Sequence, residues 1–251
     1  MTSGVRVVRC RGCGLQFAEE YPDIEKAESV IYCDRYFTKA IEKRGERKGT
    51  FAELIAEIES MSKRKGRLLD VGCGDGMLLE VAAKSGWEVE GIDVSSAAVR
   101  YVKEKKGPAV HQGVVEDVAI ESGSIDVIVL NHVLEHVQDP RATLMRLRTI
   151  LAGDGVVRIE VPNATSLSTR TQNLPSRFRL KKHRWRHYET GHHFWFFTPK
   201  ALIRTIRAAG FSPIRVAAPA RQWGQKSRFE RSLNQLYKFT FWGGHLVAYA
   251  V

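Results

Sequence analysis

At 251 residues, with 43% hydrophobic and 27% charged side chains, the chain is long enough to bury one large core and too apolar to stay disordered. Its formal net charge of +11 points toward anionic partners. No run approaches the ~18 apolar residues of a membrane-spanning helix, and Met1 to Arg11 lacks the apolar core of an export signal, so the expectation is a cytoplasmic protein without a transmembrane segment.

In chain order, the first feature is Cys10-Arg11-Gly12-Cys13-Gly14, which has the form of half a zinc knuckle. The other two cysteines are Cys33 and Cys73, and the first histidine is His111, so no second pair of ligands follows and no metal site is assigned. Four unevenly spaced cysteines also make no disulfide framework. Residues 24–40 and 51–61 read as helices. In the second, Phe51, Leu54, Ile55 and Ile58 form an apolar stripe expected to pack on a sheet.

The stretch Arg67-Leu68-Leu69 reads as a strand, and Asp70-Val71-Gly72-Cys73-Gly74-Asp75-Gly76 follows it directly. A strand that turns at once into a helix, with ligand atoms against the main chain, needs residues without Cβ at the approach points. Met77, Leu78, Val81 and Ala82 then carry helical spacing. The dinucleotide fingerprint G-x-G-x-x-G is not met, because Met77 stands where its third glycine belongs. A second strand, residues 87–92, ends in Asp93, a carboxylate placed to accept ribose hydroxyl protons. The alternative for Asp93 is a local role at the start of the helix that Ser95 and Ser96 open.

Strands at 109–111, 125–130 and 155–161 alternate with a helix at 140–151, which argues for a doubly wound parallel sheet with its ligand at the carboxyl ends of the strands. Just past the strand at 125–130 stand Asn131 and His132, candidates for touching a cofactor, His132 also as a catalytic general base. His136, four residues on, is expected on the same helical face and within reach of an acceptor as a general base; local capping or packing is the alternative for both histidines. Residues 162–198 lack clean periodicity and read as an acceptor-binding insertion. There His192 and His193, one of them expected to bind the substrate, precede Phe194-Trp195-Phe196-Phe197-Thr198-Pro199, in which Thr198 reads as a helix cap and the aromatics as core. A helix at 199–209 and strands at 211–217 and 239–251 complete the chain.

Four segments in order carry a family resemblance: Leu68 to Gly76, Gly91-Ile92-Asp93, Gly113-Val114-Val115-Glu116-Asp117, and Ile125 to Val137. Together they resemble the class I S-adenosylmethionine-dependent methyltransferases, within them the small-molecule branch of ubiquinone-pathway and sugar enzymes. The resemblance spans roughly residues 65–217 and returns at 243–250. It implies S-adenosyl-L-methionine as methyl donor and a seven-stranded, mostly parallel α/β sheet whose last strand inserts antiparallel. It further implies that Asp70, Gly72 and Gly74 line the methionine end, that Asp93 holds the ribose, and that Val115 and Glu116, with Asp117, lie along the adenine. Val114 departs from the polar residue many relatives have there. Leading helices cover the cofactor in this family, a role Tyr32, Tyr36 and Phe37 would fill, Tyr36 toward the substrate. The implied division is a covering segment at 1–64 and a catalytic domain at 65–251.

Charge is unevenly divided. Residues 67–165 hold 10 basic against 15 acidic side chains, whereas 166–251 hold 16 against 2. The densest run, Arg177 to Arg186, interleaves cations with aromatics, a pattern for an anionic acceptor, a peripheral membrane surface or nucleic acid, or else for a solvated loop. The leading reading is O-methylation of a small, lipid- or sugar-linked acceptor. The alternatives are an RNA or other nucleic-acid methyltransferase and a non-catalytic nucleic-acid- or membrane-binding protein on the same fold. Against base-amine methylation stands the strand tip Asn131-His132-Val133-Leu134, which lacks the Pro-Pro-aromatic of those enzymes.

Overall fold

The computed structural model describes residues 6–19, 41, 44–105, 107–171, 193–219 and 240–251. Period-two patterning builds the central sheet. In β3 (Arg67–Val71), Leu68 faces one side and Leu69 the other; in β6 (Ile125–Asn131), Val127 and Val129 alternate with Ile128 and Leu130 in the same way. Both faces of such strands are apolar, so both must be covered. Helices α1 (Arg44–Met61), α2 (Met77–Lys84) and α3 (Ser96–Glu104) cover one face through Leu54, Ile55, Ile58, Leu78 and Val99. On the other lie α4 (Pro140–Ile150) and α5 (Pro199–Ala208), through Leu144, Leu147, Leu202 and Ile206.

With β4 (Glu88–Asp93), β5 (Ala109–Gln112), β7 (Leu151–Pro162), β9 (Pro213–Ala217) and β10 (His245–Ala250), the sheet has seven strands in the order β5-β4-β3-β6-β7-β10-β9. Neighbours from β5 to β7 run parallel, and β10 lies antiparallel to both β7 and β9. This is the doubly wound α/β sheet with an inserted antiparallel strand expected from the sequence. The stripe of α1 packs on the sheet as expected, but the helix begins at Arg44, before the stripe, and there Arg47 reaches Asp75 of the glycine loop at 2.6 Å.

A small antiparallel sheet joins the start of the chain to the segment before α5: β1 (Val7–Arg9), β2 (Gln16–Ala18) and β8 (Trp195–Phe196). The N-terminal hairpin is thereby tied to the segment that precedes α5, and the Ala18 N–H donates to the Phe194 carbonyl. No described helix is long and apolar enough to cross a membrane. The expected helix at 24–40 with Tyr32, Tyr36 and Phe37, the residues Cys33 and His192, and the Arg177–Arg186 tract lie outside the described residues.

Candidate functional site

The carboxyl edge of the parallel strands gathers the candidate residues. Gly72 and Gly74 both take left-handed backbone, at φ 75° and 53°, which a residue with a Cβ adopts at a cost. Their surroundings differ. A Cβ on Gly72 would lie 2.5 Å from Val133 Cγ2, so this glycine is needed for packing between two strand ends; a Cβ on Gly74 would meet nothing within 4 Å. The open face, where a ligand can approach the main chain, is therefore at Gly74.

Asp93, at the tip of β4, is buried and braces that loop: its Oδ2 accepts the Gly74 N–H at 2.7 Å and its Oδ1 the Ser95 N–H at 2.8 Å. Helix capping falls to Ser95 instead, whose hydroxyl accepts the Ala98 N–H. Each carboxylate oxygen of Asp93 keeps a second lone pair for a further donor. Burial raises its pKa, against the two backbone hydrogen bonds. Asp70, 4% exposed, lies nearby, and burial followed by the charges of Asp93 and Asp75 pushes its carboxyl well above the usual range. Two acids held in so dry a place favour a cation beside them. Cys73, between them, is driven up by the same burial and charges and remains a thiol.

The segment expected along an adenine is clamped to α4. Glu116 Oε1 accepts the Thr143 hydroxyl at 2.6 Å, and Arg146 donates to the carbonyls of Val115 and Val118. The Val115 side chain is core, 2% exposed, so only its main chain can border the crevice. Asn131 lies at the tip of β6 with its side-chain oxygen committed to Arg158 Nη1.

His132 and His136 do not share a helical face, which corrects the sequence expectation. Residues 133–137 form a turn closed by His136 N–H to Val133 carbonyl at 2.8 Å, and His132 takes a left-handed φ of 56°. The His132 ring is held between two buried carboxylates: Nδ1 is 3.1 Å from Glu135 Oε1 and Nε2 is 3.2 Å from Glu160 Oε1. Burial works against its charge, but the two carboxylates outweigh burial and raise its pKa to about 10. An imidazole that keeps its proton at neutral pH does not take another. Below it, Glu160 bonds the wholly buried Arg158 at 2.9 Å. His245, at the start of β10, stacks edge-on against His132 at 5.0 Å and is held neutral by burial and by the His132 charge; sequence reading passed over it.

His136 meets His193 instead. Their ring centroids are 4.7 Å apart, because Phe194 and Trp195 donate backbone N–H bonds to the Glu135 carbonyl and the Trp195 indole donates to the Val137 carbonyl. Glu135, His136 and His193 each offer a ligand atom within 4.8 Å of the others, a set able to hold a divalent cation. Glu135 Oε2 is buried without a hydrogen-bond partner among the described residues, as the donor set of such an ion would be. As expected, Thr198 caps α5 through the Ala201 N–H, and Phe194, Phe196 and Phe197 are buried.

Away from this edge, Cys10 and Cys13 sit on the β1–β2 turn. The Cys10 thiol lies below its ordinary value because the amide and thiol of Cys13 and the amides of Gly12 and Gly14 point at its sulfur. Among the described residues no third ligand joins this pair.

Comparison with known proteins is consistent with the geometry. Residues 44–216 match the family model described as "Methyltransferase domain". A ubiquinone biosynthesis O-methyltransferase of Cereibacter sphaeroides is 32% identical over 155 residues, 59% of this chain and 61% of the relative's length. Among solved structures, a Thermotoga maritima protein described as an S-adenosylmethionine-dependent methyltransferase, possible histamine N-methyltransferase, superposes with a TM-score of 0.61 at 15% identity, over 89% of this chain and 98% of that one. The Burkholderia thailandensis 1,6-didemethyltoxoflavin-N1-methyltransferase, solved with S-adenosylhomocysteine, superposes with a TM-score of 0.59 at 14% identity over 96% and 97%.

Proposed function

Since the chain belongs to the S-adenosylmethionine-dependent methyltransferases, we propose that it transfers the methyl group to an oxygen of a small acceptor, lipid- or sugar-linked and with an anionic group. The observation that carries this reading is the placement of two unlike chemistries on one sheet edge: a bare, acid-flanked loop at Gly74, and a histidine pair at His136 and His193. The O-methyltransferase relative supports the choice of oxygen.

When bound, the cofactor supplies both the methyl group and a leaving group that departs as a neutral thioether. Asp93 would accept the ribose hydroxyls with its remaining lone pairs while bracing Gly74. Asp70 would stabilise the positive end of the cofactor by charge. His136 would take the acceptor hydroxyl proton and so leave the oxygen free to accept the methyl group that the bound cofactor would supply. His193, packed edge-on against His136, would orient it, and Glu135 would hold the turn that carries it. His132, already protonated, would serve as a fixed positive charge bordering the crevice.

A second reading of the same cluster is favoured by the orphaned Glu135 Oε2: Glu135, His136 and His193 hold a divalent ion that acidifies the acceptor hydroxyl. One experiment tests both. Cell extract incubated with methyl-labelled cofactor and the protein should yield a labelled small molecule, and His136→Ala should slow its formation by about 100-fold or more while cofactor affinity, read by calorimetry, barely changes. Loss of activity on chelation, restored by a divalent salt, selects the metal reading. Unchanged turnover in His136→Ala removes the histidine from either mechanism.

A further inference from the structure

Beyond the end of β7, where the N-terminal hairpin meets α5, the surface opens into a cavity of about 300 Å³. Arg9, Arg170 and Lys200 line it together with the hydroxyl-bearing Thr165, Thr198 and Thr240, and none of its described lining residues is acidic. These cations come from three separate parts of the chain: the small β1-β2-β8 sheet brings Arg9 toward Lys200, and the Ala164 N–H, donated to the Phe197 carbonyl, ties in the segment that carries Arg170. Among the described residues none of the three forms an ion pair. Such a gathering of like charge costs energy unless an anion enters it.

The fine structure suits an oxyanion. Gly14, on the cavity wall, has φ 79°, and a Cβ there would lie 3.4 Å from the Arg9 guanidinium, so the glycine leaves that side chain its position. Thr198 accepts the Ala201 N–H with its Oγ1, which leaves its hydroxyl hydrogen to donate elsewhere. Pro199, the first residue of α5, has no N–H, so Lys200 supplies the first N–H of the helix as well as an ammonium group. A carboxylate brings only one charge, on two coplanar oxygens, and cannot offset most of the charge of three cations. A phosphoryl group can, with a charge of about −2 near neutral pH on tetrahedrally spread oxygens.

Its place in the fold ties the cavity to the reaction. Thr165 follows closely on β7, and Asn163 between them pins the approach to β10 by donating to the carbonyls of Phe241 and Gly243. β7 is two positions from β3 in the sheet, roughly 10 Å along the same carboxyl edge. A ligand with one end in the cavity can therefore present its other end toward His136 and the cofactor crevice. We propose that this cavity is the phosphate subsite of the acceptor, so that the substrate is a phosphorylated small molecule: a phosphate or diphosphate ester held by Arg9, Arg170 and Lys200. The proposal rests on the methyl-transfer reading given above and narrows its substrate class.

Two measurements on the full chain test it. Inorganic pyrophosphate is titrated calorimetrically into protein saturated with S-adenosylhomocysteine, for the wild type, Arg9→Gln, Lys200→Gln and, as a control, Arg207→Gln, an exposed cation of α5 that does not line the cavity. Each cavity variant should lose about tenfold or more in affinity, with the control and the cofactor affinity of every variant unchanged. Equal affinities in all four would show a diffuse charge effect and overturn the proposal, as would binding to phosphatidylglycerol vesicles, but not to pyrophosphate, that the cavity variants abolish. In the second measurement, the extract is treated with phosphatase before the labelling reaction. Loss of the labelled product supports the phosphorylated acceptor. A product that persists after treatment overturns it even if pyrophosphate binds, and no labelled product from untreated extract overturns methyl transfer itself.

Discussion

Asp70 receives no hydrogen bond from any described residue, yet it is buried beside two other acids, so its ionised form is stabilised by little except a distant Arg158. Its folded-state pKa is raised. In the ligand-free protein its contribution to stability is therefore favourable at low pH and is lost as pH rises through that raised value. A sulfonium reverses the preference by favouring the carboxylate. Affinity for S-adenosylmethionine should accordingly climb as pH rises through the raised pKa of Asp70, with a proton released on binding. S-adenosylhomocysteine, which lacks the charge, should follow a much flatter profile. Calorimetry of both ligands over the weakly acidic to neutral range checks this, and parallel profiles would remove Asp70 from charge recognition. The acids of the loop could be picked out from sequence because they are contiguous with the glycines. The partners of His132 could not, since Glu160 enters from a neighbouring strand and the left-handed turn at His132 breaks the helical spacing assumed for His136.

At the scale of elements, β7 carries an unusual load. Arg158 and Glu160, two apart and therefore on the same side of the strand, are wholly buried and link Asn131 of β6 to His132 and the turn beyond it. Burial alone would raise the pKa of Glu160, but His132 and Arg158 outweigh it and hold the carboxylate ionised. Buried pairs of this kind position neighbours more than they stabilise the fold. Removing one partner strands the other: Glu160→Gln should cost about 3–5 kcal/mol in denaturant unfolding. Arg158→Met combined with Glu160→Leu should recover most of that stability. If Glu160→Gln alone unfolds at the wild-type midpoint, the network is solvated and the account of His132 as a fixed cation fails with it. Helices α4 and α5 were legible to within a residue, because apolar spacing and caps such as Asp139 and Thr198 are local signals, whereas β7 begins four residues before the strand expected at 155–161 and β8 was not expected.

Across the whole molecule, charge and fold are arranged in opposition. An acid-rich cofactor half is followed by a strongly basic remainder, and the β1-β2-β8 sheet folds the start of the chain onto that remainder. The N-terminal segment, set apart in the sequence as a covering piece, is joined in the fold both to the glycine loop, through Arg47, and to the entry of α5, through β2 and β8.

By itself, the sequence determined the core strands and helices, the glycine loop and the acid at the second strand tip, since each depends on residues close together in the chain, where spacing dictates which side chains share a face; the inserted antiparallel strand was implied by the family resemblance. Only tertiary structure decided that His136 faces His193, that His132 is clamped as a cation, and that Arg9, Arg170 and Lys200 wall one cavity. Those contacts join segments far apart along the backbone, and their geometry exists only once β6 has paired with β7 and the small second sheet has brought the N-terminal hairpin to the segment before α5.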